Sequence, residues 1–297
     1  MNIDGVFAGG GAKAIAFIGA LKAMEDRGYV FERLAGTSAG ALFASLIHAG
    51  YSSAEIKLML EKVDLEQFKD RKWPGSSCNV LSWLSVYFYL GLYKGDQLEK
   101  WVEEKLAAKG VRTFADMEPG SLRLVASDVS NNRFIILPDD LERYNEDKNR
   151  FSVAKAVRMS CALPYFYEPV RIGCPKEKQA LVVDGGILSN FPMWLFKSKN
   201  KKKLERPVLG FQLSHDIDNG HSPKIRNAVD FYRSMFSTMR KAHDLRYISK
   251  KDAQNIVFIS ADEISATSFS EAQKRYEELI ESGKHATSEF LKDGLWP

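Results

Sequence analysis

The sequence predicts an α/β fold, three layers with helices on both faces of a mostly parallel sheet, and three observations carry that prediction. Residues 1–50 alternate strand, helix, strand, helix. Both strand-to-helix junctions consist of small residues, Gly9-Gly10-Gly11 and Gly36-Thr37-Ser38-Ala39-Gly40. Short apolar strands then recur downstream between helical stretches. This alternation is the pattern of parallel strands joined by helical crossovers.

The elements follow in order. "IDGVFA" (residues 3–8) reads as a short buried strand, and the glycine run follows it. Residues 12–27 form a helix with Phe17, Ile18, Leu21 and Met24 on its apolar stripe, stopped at Gly28. Residues 31–35 are a second strand, running straight into Gly36. Residues 39–49 are almost wholly apolar, so they form a buried helix ending at Gly50. Ser52 and Glu55 have the spacing of a capping box and open the next helix. Residues 96–110 are an amphipathic helix with its own glycine stop. Residues 122–138 read as a hairpin around Asn131-Asn132, and residues 152–164 as a helix halted by Pro164. "ALVV" leads into Asp184-Gly185-Gly186, a buried strand entering a tight turn. Residues 207–214 and 255–260 are further strands. A last helix starts at Ser270, with Gln273 completing a capping box, and breaks near Gly283. With no repeat and no linker, residues 1–297 are expected to form one domain.

Composition narrows the function. The 297 residues are 45% hydrophobic and 27% charged, ample for a large core. Net charge is +4, from 42 Lys and Arg against 38 Asp and Glu. That excess is too small to imply nucleic acid and leaves peripheral contact with anionic membranes open. Cys78, Cys161 and Cys174 show no CxxC or Cys/His metal spacing, so reduced thiols are expected. The N-terminus lacks a basic region and an apolar stretch, so no signal peptide is expected. The longest near-apolar run, residues 83–93, is shorter than the about 20 residues a spanning helix needs. Its small polar face suggests a core helix rather than a lipid-facing lid. The lysines at 199–203 read as a solvated loop, with anionic headgroups as the alternative. A cytoplasmic protein is expected.

Gly36-Thr37-Ser38-Ala39-Gly40 has the form of a nucleophile elbow. Small residues flank the serine because the turn is sharp, and the helix start beside it favours developing negative charge. The elbow follows a single strand–helix unit, which argues against the ordinary α/β-hydrolase order. The amides of Gly9, Gly10 and Gly11 can serve an oxyanion, with Lys13 adding positive charge. The same run fits a dinucleotide fingerprint, Gly9-x-Gly11-x-x-Ala14, but the second strand lacks the acidic residue at its end. Five histidines are candidates for the base: His48, His215, His221, His243 and His285. His48 lies on the buried helix pointing away from Ser38, and His215, after a strand, is the best of the five. Asp184 is better placed, ending an apolar strand at a glycine turn.

"GGGAKA", "GTSAG" and "DGG", in that order, resemble the patatin-like phospholipase family. "AVRMSCALPYFYEPV" (residues 156–170) and "NFP" (residues 190–192) add to the resemblance, which is clear over residues 4–196. It implies a three-layer α/β/α fold and a Ser–Asp dyad without catalytic histidine. It implies Ser38 as nucleophile and Asp184 as its base. The oxyanion hole would be the amides of Gly10 and Gly11 with their neighbours Gly9 and Ala12. Lys13, Gly36, Gly40, Gly185 and Gly186 complete the matching motifs. The family's glycine run usually closes on glycine where this chain has Ala14. The implied substrates are acyl esters of lipids, cleaved without metal or cofactor. An acyltransferase sharing the acyl-enzyme, or a silent lipid-binding module, are the alternatives.

Overall fold

A computed structural model of the chain describes residues 1–71, 86–174, 179–196, 206–214, 253–261 and 267–292, with isolated positions between 225 and 239. In chain order the elements that place the site are β1 (Asn2–Phe7), α1 (Ala16–Asp26), β2 (Val30–Thr37), α2 (Ala39–His48) and α3 (Ser53–Lys62). Then come β3 (Gly91–Tyr93), α4 (Asp96–Ala108), β4 (Leu122–Asp128), β5 (Arg133–Leu137) and α5 (Val153–Ser160). The chain continues with β6 (Tyr165–Tyr167), β7 (Val170–Ile172), β8 (Ala180–Asp184), β9 (Val208–Ser214) and β10 (Ile256–Ser260). It ends with α6 (Phe269–Lys274) and α7 (Tyr276–Lys292).

The sheet is mixed but mostly parallel. β10, β9, β1, β2 and β4 lie side by side in that order, all parallel. β5, β8 and β7 add antiparallel pairings beyond them. The hairpin expected around Asn131-Asn132 is β4–β5, with Asp128 opposite Arg133. Asp128 closes it by accepting the Ser130 and Asn131 amides, both at 3.0 Å, and the Tyr144 hydroxyl at 2.8 Å.

Helices flank the sheet because each strand alternates its side chains between two apolar faces. Phe7 on β1 stacks on Phe211 of β9 and meets Phe17 of α1 edge-on, with ring centroids 4.8 and 5.2 Å apart. Phe17 in turn meets Phe43 of α2 at 5.6 Å. The opposite face, Val6, Ala8 and Ala35, packs under Phe191, Met193 and Phe196. The expected capping box at α3 forms, the Ser52 amide donating to Glu55 Oε2 at 2.8 Å and the Glu55 amide to Ser52 Oγ at 3.3 Å.

The structure corrects several expectations. α7 does not break at Gly283 but runs through it to Lys292. The reason is tertiary: α7 crosses α1 so closely that a Cβ on Gly283 would lie 1.8 Å from Ala16 O. The cap of α6 is Ser268, not Ser270, and Gln273 donates instead to Val63 O at 3.4 Å. Residues 12–27 are not one helix, because Gly11–Ile15 is a 3-10 turn ahead of α1. The described part of the aromatic run is not a core helix. Tyr87 and Phe88 are 78% and 66% exposed, and Gly91–Tyr93 is a strand paired to β6. Cys78, the lysines at 199–203, and His215, His221 and His243 lie outside the described residues.

Candidate active site

β2 ends at Thr37, and Ser38 turns the chain into α2 with φ 55° and ψ −130°. A non-glycine residue there carries strain of about 1–3 kcal/mol, held only where the surroundings dictate it. Here they do. A Cβ on Gly36 would lie 2.3 Å from Gly40 O, and one on Gly40 would lie 2.2 Å from Phe7 O. Both glycines of the pentapeptide are therefore required by close backbone approach. Thr37 Oγ1 donates to Ser189 O at 2.9 Å, and Ser38 O accepts the Ala41 amide at 2.8 Å to start the helix. Ser38 itself stays half-buried, reachable from outside.

Asp184 arrives from an unexpected direction. It ends a strand, but β8 is antiparallel to β4, so it reaches the carboxyl end of β2 from the opposite direction. The Leu34 amide of β2 donates to Ser121 O at 2.7 Å, and the Val129 amide donates to Leu181 O of β8 at 3.0 Å. Ser121 and Val129 are both odd-numbered, so they point to the same edge of that strand. β2 and β8 thus share one edge of β4 and meet end to end. Thr37 stands opposite Val125, and Asp184 opposite the next residue, Ala126. Successive residues on a strand are about 3.3 Å apart, so the two chain ends converge at Ser38 and Asp184. A Cβ on Gly185 would touch Val125 O at 2.2 Å and Thr37 Cγ2 at 2.9 Å, which confirms the meeting point. Asp184 is 3% exposed, and its Oδ1 accepts the Gly186 amide at 2.7 Å.

The glycine run lies against the nucleophile: a Cβ on Gly9 would sit 3.1 Å from Ser38 Cβ. The Gly9 amide, however, donates to Asn190 O at 3.1 Å, which removes it from the expected oxyanion donors. Gly10 caps the 3-10 turn, and Gly11 takes φ 58°, the left-handed region that favours glycine. At such a helix start the amides of Gly10, Gly11 and Ala12 precede the first intrahelical donor. Lys13 and Ala14 are buried in that turn, 5% and 2% exposed.

The remaining titratable neighbours separate from the pair. His48 sits at the far end of α2 and is paired with Ser121 Oγ at 2.7 Å, as its position on the helix suggested. Burial holds its imidazole below the ordinary 6.5, so the folded state keeps it neutral. The unfolded chain then takes up the proton first as pH falls. The stability His48 contributes is complete above about pH 6.5 and is lost as pH drops below it. In His48→Gln the drop in Tm between about pH 7.5 and 5.5 should shrink. Parallel wild-type and variant curves would refute this. Cys161 lies near Asp184, and burial, then that carboxylate's charge, push its thiol well above the usual range. It is a neutral thiol, not a rival nucleophile. Among the described residues no group of three His, Cys, Asp or Glu is placed to hold a metal.

Residues 5–197 match the family model of the patatin-like phospholipases. The chain belongs to the patatin-like phospholipase family. Its relative YqhO of Bacillus subtilis, an uncharacterized protein, is 48% identical over 292 residues, 98% of this chain and 99% of that one. This patatin-like fold also resembles VipD of Legionella pneumophila, with TM-score 0.58, 18% identity, and coverage of 98% of this chain and 67% of that one. ExoU of Pseudomonas aeruginosa, solved with SpcU, gives TM-score 0.56 at 17% identity, covering 99% of this chain and 52% of that one. The family match ends at residue 197, yet β9, β10 and α7 lie beyond it, and β9 pairs directly with β1. The sequence drew attention to Ser38, the glycine run and Asp184, which the registers of β2 and β8 and the packing of Gly9 bring to one place. It gave no role to Ser189 and Asn190, whose carbonyls hold Thr37 and Gly9, and only the "NFP" match pointed to that loop.

Proposed function

We propose that this protein is a serine acyl hydrolase that cleaves fatty-acyl esters of lipids, of the phospholipase A, lysophospholipase or esterase type. The observation that carries this is the end-to-end meeting of β2 and β8, where the strand leading to a strained serine meets the strand ending in a buried carboxylate, beside a glycine run. Ser38 Oγ attacks the ester carbonyl carbon as Asp184 takes its proton. The amides of Gly10, Gly11 and Ala12 hold the tetrahedral oxyanion, a contribution of about 2.7–4 kcal/mol per donor in comparable sites. The C–O bond to the alcohol breaks, and the alcohol leaves with the proton from Asp184. Water, giving its proton to Asp184, then attacks the acyl-enzyme, and the fatty acid departs as Ser38 recovers its hydrogen.

Lipid is reached at a membrane surface by peripheral contact in the cytoplasm. None of the helices among the described residues is long and apolar enough to cross a membrane. The test is a fluorophosphonate probe with a panel of phospholipid, lysophospholipid and simple ester substrates. Covalent labelling mapped to Ser38, with free fatty acid released from at least one lipid, is expected. A folded wild type that neither labels at Ser38 nor releases fatty acid would refute the reading.

A further inference from the structure

Ser160 is completely buried, on the last turn of α5, and its hydroxyl has two partners at once. It accepts the Ser38 amide at 2.9 Å and donates to Val125 O at 2.6 Å. The place of those partners in the sheet gives the bond its meaning. The β2–β4 ladder has its rung at the Leu34 amide and Ser121 O, 2.7 Å apart. Rungs recur every second residue along a strand. Two residues on they fall at Gly36 and Arg123, and two further at Ser38 and Val125. If β2 continued, the Ser38 amide would donate to Val125 O directly. Instead the elbow lifts Ser38 out of the sheet, and the Ser160 hydroxyl spans the gap, completing the rung for both buried groups.

The same short segment also holds the other half of the pair. Two residues after Ser160, Ala162 O accepts the Asp184 amide at 2.9 Å. Residues 160–162 therefore grip the backbone of the nucleophile at one end and that of the acid at the other. Neither bond touches a reacting atom. Both fix where the reacting side chains originate, on either side of the junction between β2 and β8.

We infer that Ser160 is a positioning residue for Ser38, and that residues 160–162 set the spacing of the Ser38–Asp184 pair. This deepens the proposed acyl-hydrolase reading and rests on it. Removing the hydroxyl leaves the Ser38 amide and Val125 O without their bridge and releases the strained φ of 55° that presents Oγ. Misplacing a reactive group by a fraction of its working distance costs rate rather than affinity.

The experiment measures kcat and KM for an ester substrate in wild type, Ser160→Ala, Ser160→Thr and Ser160→Cys, with active sites counted by fluorophosphonate titration. Ser160→Ala should lose roughly 10- to 100-fold in kcat per active site with KM nearly unchanged. Ser160→Thr, which keeps the hydroxyl, should recover most of that loss. Ser160→Cys keeps the volume but weakens both bonds and should fall between; it carries the test should the alanine variant not fold. Wild-type kcat in the alanine or cysteine variant overturns the inference. So does an equal loss in alanine and threonine, which would mean packing rather than hydrogen bonding. A wild type without labelling or turnover overturns the acyl-hydrolase reading itself, and this inference with it. An active wild type with indifferent Ser160 variants overturns the positioning role alone.

Discussion

Asp184→Asn should lower turnover of an acyl-ester substrate by roughly 10³-fold or more, within the range attributed to a positioned general base. The substitution keeps size and shape and removes only the capacity to take a proton. Asparagine Oδ1 can still accept the Gly186 amide, now 2.7 Å from Asp184 Oδ1, so the turn after β8 should hold. The protein should therefore melt within a few degrees of wild type and still bind substrate, with the loss falling on kcat. Ser38→Ala sets the floor, since it abolishes covalent labelling altogether. The rival base is a histidine. His48 is engaged with Ser121 at the other end of α2, so His48→Gln should leave turnover unchanged, and His215→Ala should do the same. Asp184→Asn retaining turnover within tenfold of wild type, or a comparable collapse in either histidine variant, would remove Asp184 from the mechanism.

The parts of this site that could be read from the sequence are those written in local pattern. The elbow pentapeptide and the Asp184-Gly185-Gly186 turn need small residues because backbone passes backbone there, and the glycine run needs them because the Asn190 and Leu213 side chains lie against it. The Ser52–Glu55 cap is equally local, and so are the first two strand–helix units. What could not be read is what depends on partners far along the chain. Nothing in "ALVVD" says that the strand runs antiparallel to β4, yet that direction brings Asp184 to Ser38. Ser160 looks like any small residue near a helix end, and its role appears only once β2, β4 and α5 converge. Gly9 looks like a third oxyanion donor until Asn190, 181 residues away in the chain by their numbering, claims its amide. The aromatic run departs from its expected burial for a related reason. Absence of polar residues argues for burial only when a neighbour covers them, and Tyr87 and Phe88 are largely uncovered among the described residues.

Gly283→Ala should destabilise the fold by about 3 kcal/mol or more, the upper range for overpacking a closed site. Glycine inside a helix ordinarily costs about 1 kcal/mol relative to alanine, so on an exposed helix the same change would stabilise. The sign reverses because of the crossing with α1. A Cβ on Gly283 would lie 1.8 Å from Ala16 O, and reciprocally a Cβ on Gly19 would lie 1.8 Å from Ile280 O. Both obstacles are backbone, which cannot rotate away as a flexible side chain can. The methyl group must therefore push the two helices apart along the whole contact, loosening Tyr276, Leu279 and the buried Thr287. A Tm lower by roughly 6–10 °C is expected, with His285→Ala on the exposed face of α7 as a near-neutral control. The damage should also reach the chemistry. Ala16 is the first residue of α1 and follows directly on the Gly11–Ile15 turn whose leading amides are proposed to hold the oxyanion. A helix that recoils from α7 carries those amides with it. At a temperature where the variant is fully folded, kcat per labelled site should still fall by a few-fold with KM little changed. A variant that is destabilised yet turns over at the wild-type rate would show that α7 supports the fold without setting the oxyanion loop. One that melts like wild type would mean the helices separate at no cost, which the backbone contacts forbid.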